Sequence, residues 1–179
     1  MRNFLRIAHG VDVMPVLNAL AQNADLWNLN PIRTMHPGTA HAEADDILVW
    51  FNDLSDPEAV VNDRETVPFL AWDRLPQLRP LIFDLMRRVE GVRLGRVIIS
   101  RLKPGAQITP HVDGGAPATF FSRYQIALQC LPGCLFKAGN ETVNFQTGDV
   151  WWFDNQQEHS VVNNSADDRL ALIVDIRTA

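Results

Sequence analysis

The sequence predicts a mainly β protein with N-terminal helices, an α+β fold whose second half is an antiparallel jelly roll. Three observations carry this expectation. Past Gly91 the chain breaks into about eight short β-rich runs, closed by Gly, Pro, Asn or Asp, a count that suits a jelly-roll sandwich. Before Gly91, two segments space apolar residues at helical intervals. Hydrophobic content is 46% and charged content 21%, the balance of a globular chain rather than a disordered or fibrous one. The 179 residues suit one domain, with 1–91 as a helical and irregular N-terminal layer and 92–179 as the jelly-roll core.

In chain order, VDVMPVLNALAQNADLW places Val13, Leu17, Leu20 and Ala21 on one helical face, with Asp12 as N-cap and Pro15 in the first turn. NLNPIRTMHPGTAHAEADD carries two prolines and a glycine and reads as an irregular loop. ILVWFND is a short strand, and LSDPEAVVNDRETVPFLAWDRLP a second loop. In QLRPLIFDLMRRVE, residues 77–90, Leu78, Leu81, Ile82, Leu85, Met86 and Val89 form a second helical face, with Gly91 as the C-terminal cap. The β-rich runs follow: RLGRVIISRLKPG, QITPHVD, ATFFSRYQIALQCL, CLFKAGN, ETVNFQTG, DVWWFDN, HSVVNN and RLALIVDIR. KAGNET between CLF and VNF predicts a hairpin turn.

Several function classes are disfavoured. The net charge is −5 without a basic patch, which argues against nucleic acid and against an anionic membrane surface, both of which need clustered Lys and Arg. No apolar run is long enough to span a bilayer, and the first residues lack a signal-peptide pattern, so a cytoplasmic protein is expected. Cys130 and Cys134 lack the spacing of a zinc ribbon and read as reduced packing residues.

The residues that could carry chemistry begin at ITPHVDGG. His111 and Asp113 lie two apart, and on a strand such positions share a face, with Val112 turned to the other layer. Gly114 and Gly115 leave the backbone free to turn away. His159 opens a later strand run. Two histidines and a carboxylate leave open positions on an octahedral ion, the facial triad of non-haem Fe(II) oxygenases. A lone His-x-Asp is common, and His159 alone could be an ordinary hydrogen-bonded strand-end histidine. The strand DDRLALIVDIR places Arg169, Ala171, Ile173 and Asp175 on one side and Leu170, Leu172 and Val174 on the other. An interior arginine is costly unless it meets an anion, and a carboxylate-bearing cosubstrate is such an anion. An exposed Arg169, or one paired with Asp167, Asp168 or Asp175, would explain it equally. On SRYQIALQ, Arg123 and Gln125 alternate with Tyr124, Ile126 and Leu128. Trp151 and Trp152 should fall on opposite faces.

SRLKPGAQITPHVD, RYQIAL and GDVWWFDNQQEHSVVNNSADDRLALIVDIR, within residues 100–177, together resemble the aspartyl/asparaginyl β-hydroxylase family. The resemblance implies a cupin-like double-stranded β-helix and an iron- and 2-oxoglutarate-dependent oxygenase. It implies that His111, Asp113 and His159 bind Fe(II), and that Arg169 binds the distal carboxylate of 2-oxoglutarate. Ser100 and Arg123 match positions that help hold the cosubstrate, and Gln125 stands where the family pattern has a histidine. The hydroxylase that names the family lacks the carboxylate ligand. Asp113 therefore makes this chain more similar to bacterial members acting on free amino acids or other small substrates. The implied reaction consumes O2 and hydroxylates a small molecule or an amino-acid or peptidyl side chain, releasing succinate and CO2. The loop 34–46, with His36 and His41, is the candidate substrate segment. Two other readings stay open: a cupin-like metalloenzyme that does not use 2-oxoglutarate, and a non-catalytic binding module.

Overall fold

The computed structural model describes residues 1–179. Eleven strands form two antiparallel sheets. They are β1 (Phe4–Ala8), β2 (Ala44–Phe51), β3 (Val67–Pro68), β4 (Gly91–Leu102), β5 (Gln107–His111), β6 (Ser122–Gln129), β7 (Cys134–Ala138), β8 (Glu141–Asn144), β9 (Val150–Phe153), β10 (His159–Asn163) and β11 (Arg169–Thr178). The large sheet runs β1-β9-β6-β11-β4-β2-β3, and the small one β5-β10-β7-β8. The mainly β jelly-roll architecture with added helices is thus the fold of the chain. Helices α1 (Met14–Gln22), α2 (Ile32–Met35), α3 (Pro57–Asn62), α4 (Leu70–Arg74), α5 (Leu78–Arg88) and α6 (Gly115–Phe120) complete it.

Period-two alternation sorts the large sheet's side chains into two cores. Ile47, Val49, Val97, Ile99, Ile126, Leu172 and Val174 face the helices and meet Val16, Leu20, Leu78, Ile82 and Leu85. Each fully buried aliphatic side chain there contributes roughly 1.5–3 kcal/mol. The opposite face looks into the space between the sheets, where Phe4, Leu102, Phe136, Phe145, Trp151 and Phe153 pack together. Trp152 lies on the helix side, so the two tryptophans do part to opposite faces. Phe145 and Trp151 stack at 5.1 Å, nearly parallel.

The structure departs from expectation in the first half. Residues 1–91 are not only helical and irregular, because β1, β2 and β3 join the large sheet, β1 against β9 and β2 against β4. β1 buries fully only Phe4, so its sequence shows almost no alternation. β2 starts at Ala44, three residues before the apolar run, because an acidic residue, Asp46, faces the interior. Both expected loops contain short helices, α2 in the first and α3 and α4 in the second. In α1 the buried stripe is Val16, Ala19 and Leu20, and Ala21 is exposed. The helix begins only at Met14, so Val13 is its cap, and Asp12 accepts the Met14 N–H at 3.1 Å. Past α5 the left-handed residue is Glu90, φ 54°, not Gly91. Gly91 answers a different demand, since a Cβ there would lie 2.6 Å from Ile176 Cγ2.

Candidate metal centre

β5 and β10 are antiparallel neighbours, and their register sets His111 directly opposite His159. The imidazole centroids lie 4.3 Å apart. Asp113, just past the end of β5, is tied down by its own N–H, which donates to Asn155 O at 3.3 Å. Its Oδ1 lies 3.6 Å from His111 Nε2 and its Oδ2 3.8 Å from His159 Nε2. One donor atom from each residue falls within 4.8 Å of the others. Val112 does not pack on a layer as expected; it is half exposed, because the strand has ended. Gly115 packs its backbone on Val61 O, where a Cβ would sit at 2.7 Å. Gly114 caps α6 and Gly115 opens it, and a Cβ on Gly114 would meet nothing within 4 Å.

Both imidazoles are oriented by the same device. His111 Nδ1 lies 2.8 Å from Thr109 O and His159 Nδ1 2.9 Å from Gln157 O. A carbonyl can only accept, so each Nδ1 carries the proton and each Nε2 presents a lone pair. His111 Nε2 is buried and without a hydrogen-bond partner. An orphaned buried acceptor of this kind needs a donor or a cation. A pair of neutral imidazole nitrogens and one carboxylate oxygen is the donor set that suits Fe(II) with open positions, so the residues fit the ion.

Electrostatics keep the cluster in its ligating form. Burial alone would raise the Asp113 carboxyl. The Arg123 guanidinium overcomes this and holds it well below the usual carboxylate range. Burial lowers His159 despite Asp113. His41 packs its ring on His111 at 4.9 Å, and burial, Arg33 and His111 push it down to about 2. Two histidines, His159 buried and His41 half-buried, are thus held neutral, which fixes the sign of a pH effect on the metal-free protein. Unfolded histidines protonate near 6.5, whereas the folded ones resist. Stability is full above about pH 6.5 and falls as pH drops below it, because the unfolded chain takes up protons the fold refuses. At pH 5.5, His41 alone is expected to cost about 1 kcal/mol. Urea midpoints at pH 7.5 and 5.5 in chelator measure this, and His41→Asn should flatten the difference.

Arg169 opens β11 with its side chain buried, so an exposed strand start is ruled out. No acid lies within salt-bridge distance among the described residues; its Nη2 donates to Gln125 Oε1 at 2.8 Å. Asp175 belongs instead to Arg123. Ser100, opposite Ala171 across β4 and β11, is on the same interior face as Arg169, buried and with a partnerless Oγ. Arg123 donates from Nε and Nη2 to Asp175 at 2.7 and 2.8 Å, and from Nη1 to Asp113 Oδ2 at 2.7 Å. Cys130 and Cys134 are buried free thiols, and burial lifts Cys130 to about 12.

The 34–46 segment is only partly at the site. Thr109 N–H donates to Ala40 O at 3.1 Å, which pins His41 beside His111. His36 is exposed, with Nδ1 3.3 Å from Pro37 O. Sequence reasoning missed Asp46 and Arg33, which pair at 2.5 Å with Asp46 Oδ1 left unpartnered. The signal that could have found Asp46 is its position two residues before Leu48, in phase with the interior face.

Comparison with known proteins assigns the family. A sequence profile described as Aspartyl/Asparaginyl beta-hydroxylase matches residues 65–179. The chain belongs to this family. The matched span contains His111, Asp113, His159 and Arg169. The chain is 33% identical over 97 residues to the aspartyl/asparaginyl beta-hydroxylase of Mus musculus, and 33% over 88 residues to that of Homo sapiens. These alignments cover 53% and 48% of this chain but only 13% and 11% of the relatives, so the chain corresponds to a small part of each. Among solved structures, the fold is similar to the non-heme alpha ketoglutarate dependent epimerase SnoN from nogalamycin biosynthesis. That match has TM-score 0.60, 19% identity, 99% of this chain and 78% of the other. It is also similar to a 2OG-Fe(II) oxygenase family oxidoreductase from Burkholderia pseudomallei, with TM-score 0.57, 13% identity, 75% and 67% coverage. The viral collagen prolyl hydroxylase from Paramecium Bursaria Chlorella virus-1 matches at 0.53, with 11% identity over 99% and 96%. No helix among the described residues is long and apolar enough to cross a membrane.

Proposed function

We propose that this family member is an Fe(II)- and 2-oxoglutarate-dependent dioxygenase that hydroxylates a small molecule or an amino-acid or peptidyl side chain in the cytoplasm. The observation that carries the reading is the convergence of two Nε2 lone pairs and Asp113 within 4.8 Å, on the same interior as a buried guanidinium that has no acid of its own. His111, Asp113 and His159 hold the iron, which supplies O2 activation coupled to cosubstrate decarboxylation. The chain's own work is binding and orientation. Arg169 grips the distal carboxylate of 2-oxoglutarate with parallel hydrogen bonds, and Ser100 Oγ offers a further donor to the same carboxylate. Gln125 accepts from Arg169 and thereby fixes its fork. His41, neutral and packed on His111, closes the substrate side against water.

Purified protein with Fe(II), ascorbate and 2-oxoglutarate is expected to release succinate, and a His111→Ala variant is not. Equal succinate from the two would remove the oxygenase reading, and release without 2-oxoglutarate dependence would favour a cupin-like enzyme of other chemistry.

A further inference from the structure

We propose that Arg123 and Asp175 are positioning residues for the metal ligand Asp113, and that Arg123 is not an anchor for the cosubstrate. Asp175 and Arg123 are Cα partners across β11 and β6, and both face the interior. The register therefore delivers a carboxylate to a guanidinium in the two-pronged geometry that binds best: Nε to Oδ1 at 2.7 Å and Nη2 to Oδ2 at 2.8 Å. That fork sets the plane and direction of Arg123. The remaining edge, Nη1, meets Asp113 Oδ2 at 2.7 Å. Asp113 Oδ2 is then committed, and Oδ1, 3.6 Å from His111 Nε2 and free of any N–H, is the oxygen left to ligate. The chain Asp175–Arg123–Asp113 fixes which oxygen binds and where it points.

Charge decides between the two roles. Arg123 spends three of its five N–H groups on two carboxylates. Both acids lie within 2.8 Å of the guanidinium and already answer its charge. Arg169 has no acidic partner among the described residues and is left to meet a further carboxylate. Both Arg123 and Asp175 are buried, at 8% and 1% exposure, so water does not substitute for either partner. Groups that hydrogen-bond a metal ligand typically change metal affinity 10–100-fold when removed.

The inference rests on the metal-site reading but not on cosubstrate or turnover, so it is tested without either. Mn(II) is titrated into chelated, cosubstrate-free wild type, Asp175→Asn and Arg123→Lys, with circular dichroism confirming the fold. Both variants are expected to raise the Mn(II) dissociation constant about 10–100-fold. In Mn(II)-saturated protein, 2-oxoglutarate affinity should move by less than about threefold, and Asp175→Glu should recover part of the Mn(II) loss. If Asp175→Asn does not fold, Arg123→Lys decides, because it keeps the charge and loses only the fork. A folded variant that binds Mn(II) as wild type does, or one whose 2-oxoglutarate affinity falls more than its Mn(II) affinity, overturns the assignment. Loss of succinate release in the separate assay leaves it standing.

Discussion

Replacing Arg169 by leucine is expected to raise the Michaelis constant for 2-oxoglutarate about a hundredfold or more, while the metal-free protein stays as stable as before or gains stability. The two halves have one cause. The guanidinium is only 3% exposed and burial lowers its pKa, which signals a cation held against its preference for water. Gln125 Oε1 relieves part of that cost, but an amide oxygen is a weaker partner than a carboxylate. Leucine removes a poorly compensated charge, and such replacements are often neutral or stabilising. The cosubstrate meanwhile loses the partner of a buried charged hydrogen bond, worth about 2–5 kcal/mol on truncation, and each 1.4 kcal/mol is tenfold. Arg169→Lys should fall between, since an ammonium cannot reproduce the fork. Steady-state kinetics in 2-oxoglutarate and a denaturant melt of the metal-free protein read the two halves separately. A Michaelis constant within about threefold of wild type would place the cosubstrate elsewhere.

Arg123→Met is expected to act in the opposite way, destabilising the metal-free protein by about 3–5 kcal/mol. Removing this guanidinium leaves Asp113 and Asp175 buried without their common cation. Asp113 loses the nearby charge that most strongly holds it ionised. Methionine fills most of the space, so the loss is electrostatic rather than a cavity. Urea unfolding of wild type and variant at neutral pH measures it, and a difference below about 1 kcal/mol would show that the two acids are solvated in the fold. Two interior arginines thus differ in sign: one is offset by acids of its own chain, the other, in the proposed function, by the cosubstrate.

Much of this was legible before any coordinates. Strand alternation in SRYQIALQ and RLALIVDIR put Arg123 with Gln125 on one side of the first strand and Arg169 with Asp175 on one side of the second, and the structure turns both sides to the interior. β4, β6 and β11 are central strands buried on both faces, so they read as apolar runs in which the few polar residues stand out. The signal fails where few positions are buried or where an interior position is itself polar. β1 at the edge buries fully only Phe4, and β2 hides an acid among its interior positions, so both boundaries were lost. The pairings of the charged residues were also illegible. Asp175 could have answered Arg169 or Arg123 by proximity in sequence or strand. Only the β6–β11 register gives it to Arg123 and leaves Arg169 without an acid.

The bonds from each ligand imidazole to the carbonyl two residues earlier have a consequence for the order of events. Both rings take their tautomer and tilt from the backbone just before them, before any ion arrives. The rotamer freedom those side chains give up, about 0.5–1.5 kcal/mol for each, is lost on folding and not on capture of the metal. In the proposed function the ion therefore enters a socket whose nitrogen arms are already set. Asp113 is the one arm whose aim depends on a side chain from the other sheet, Arg123 of β6.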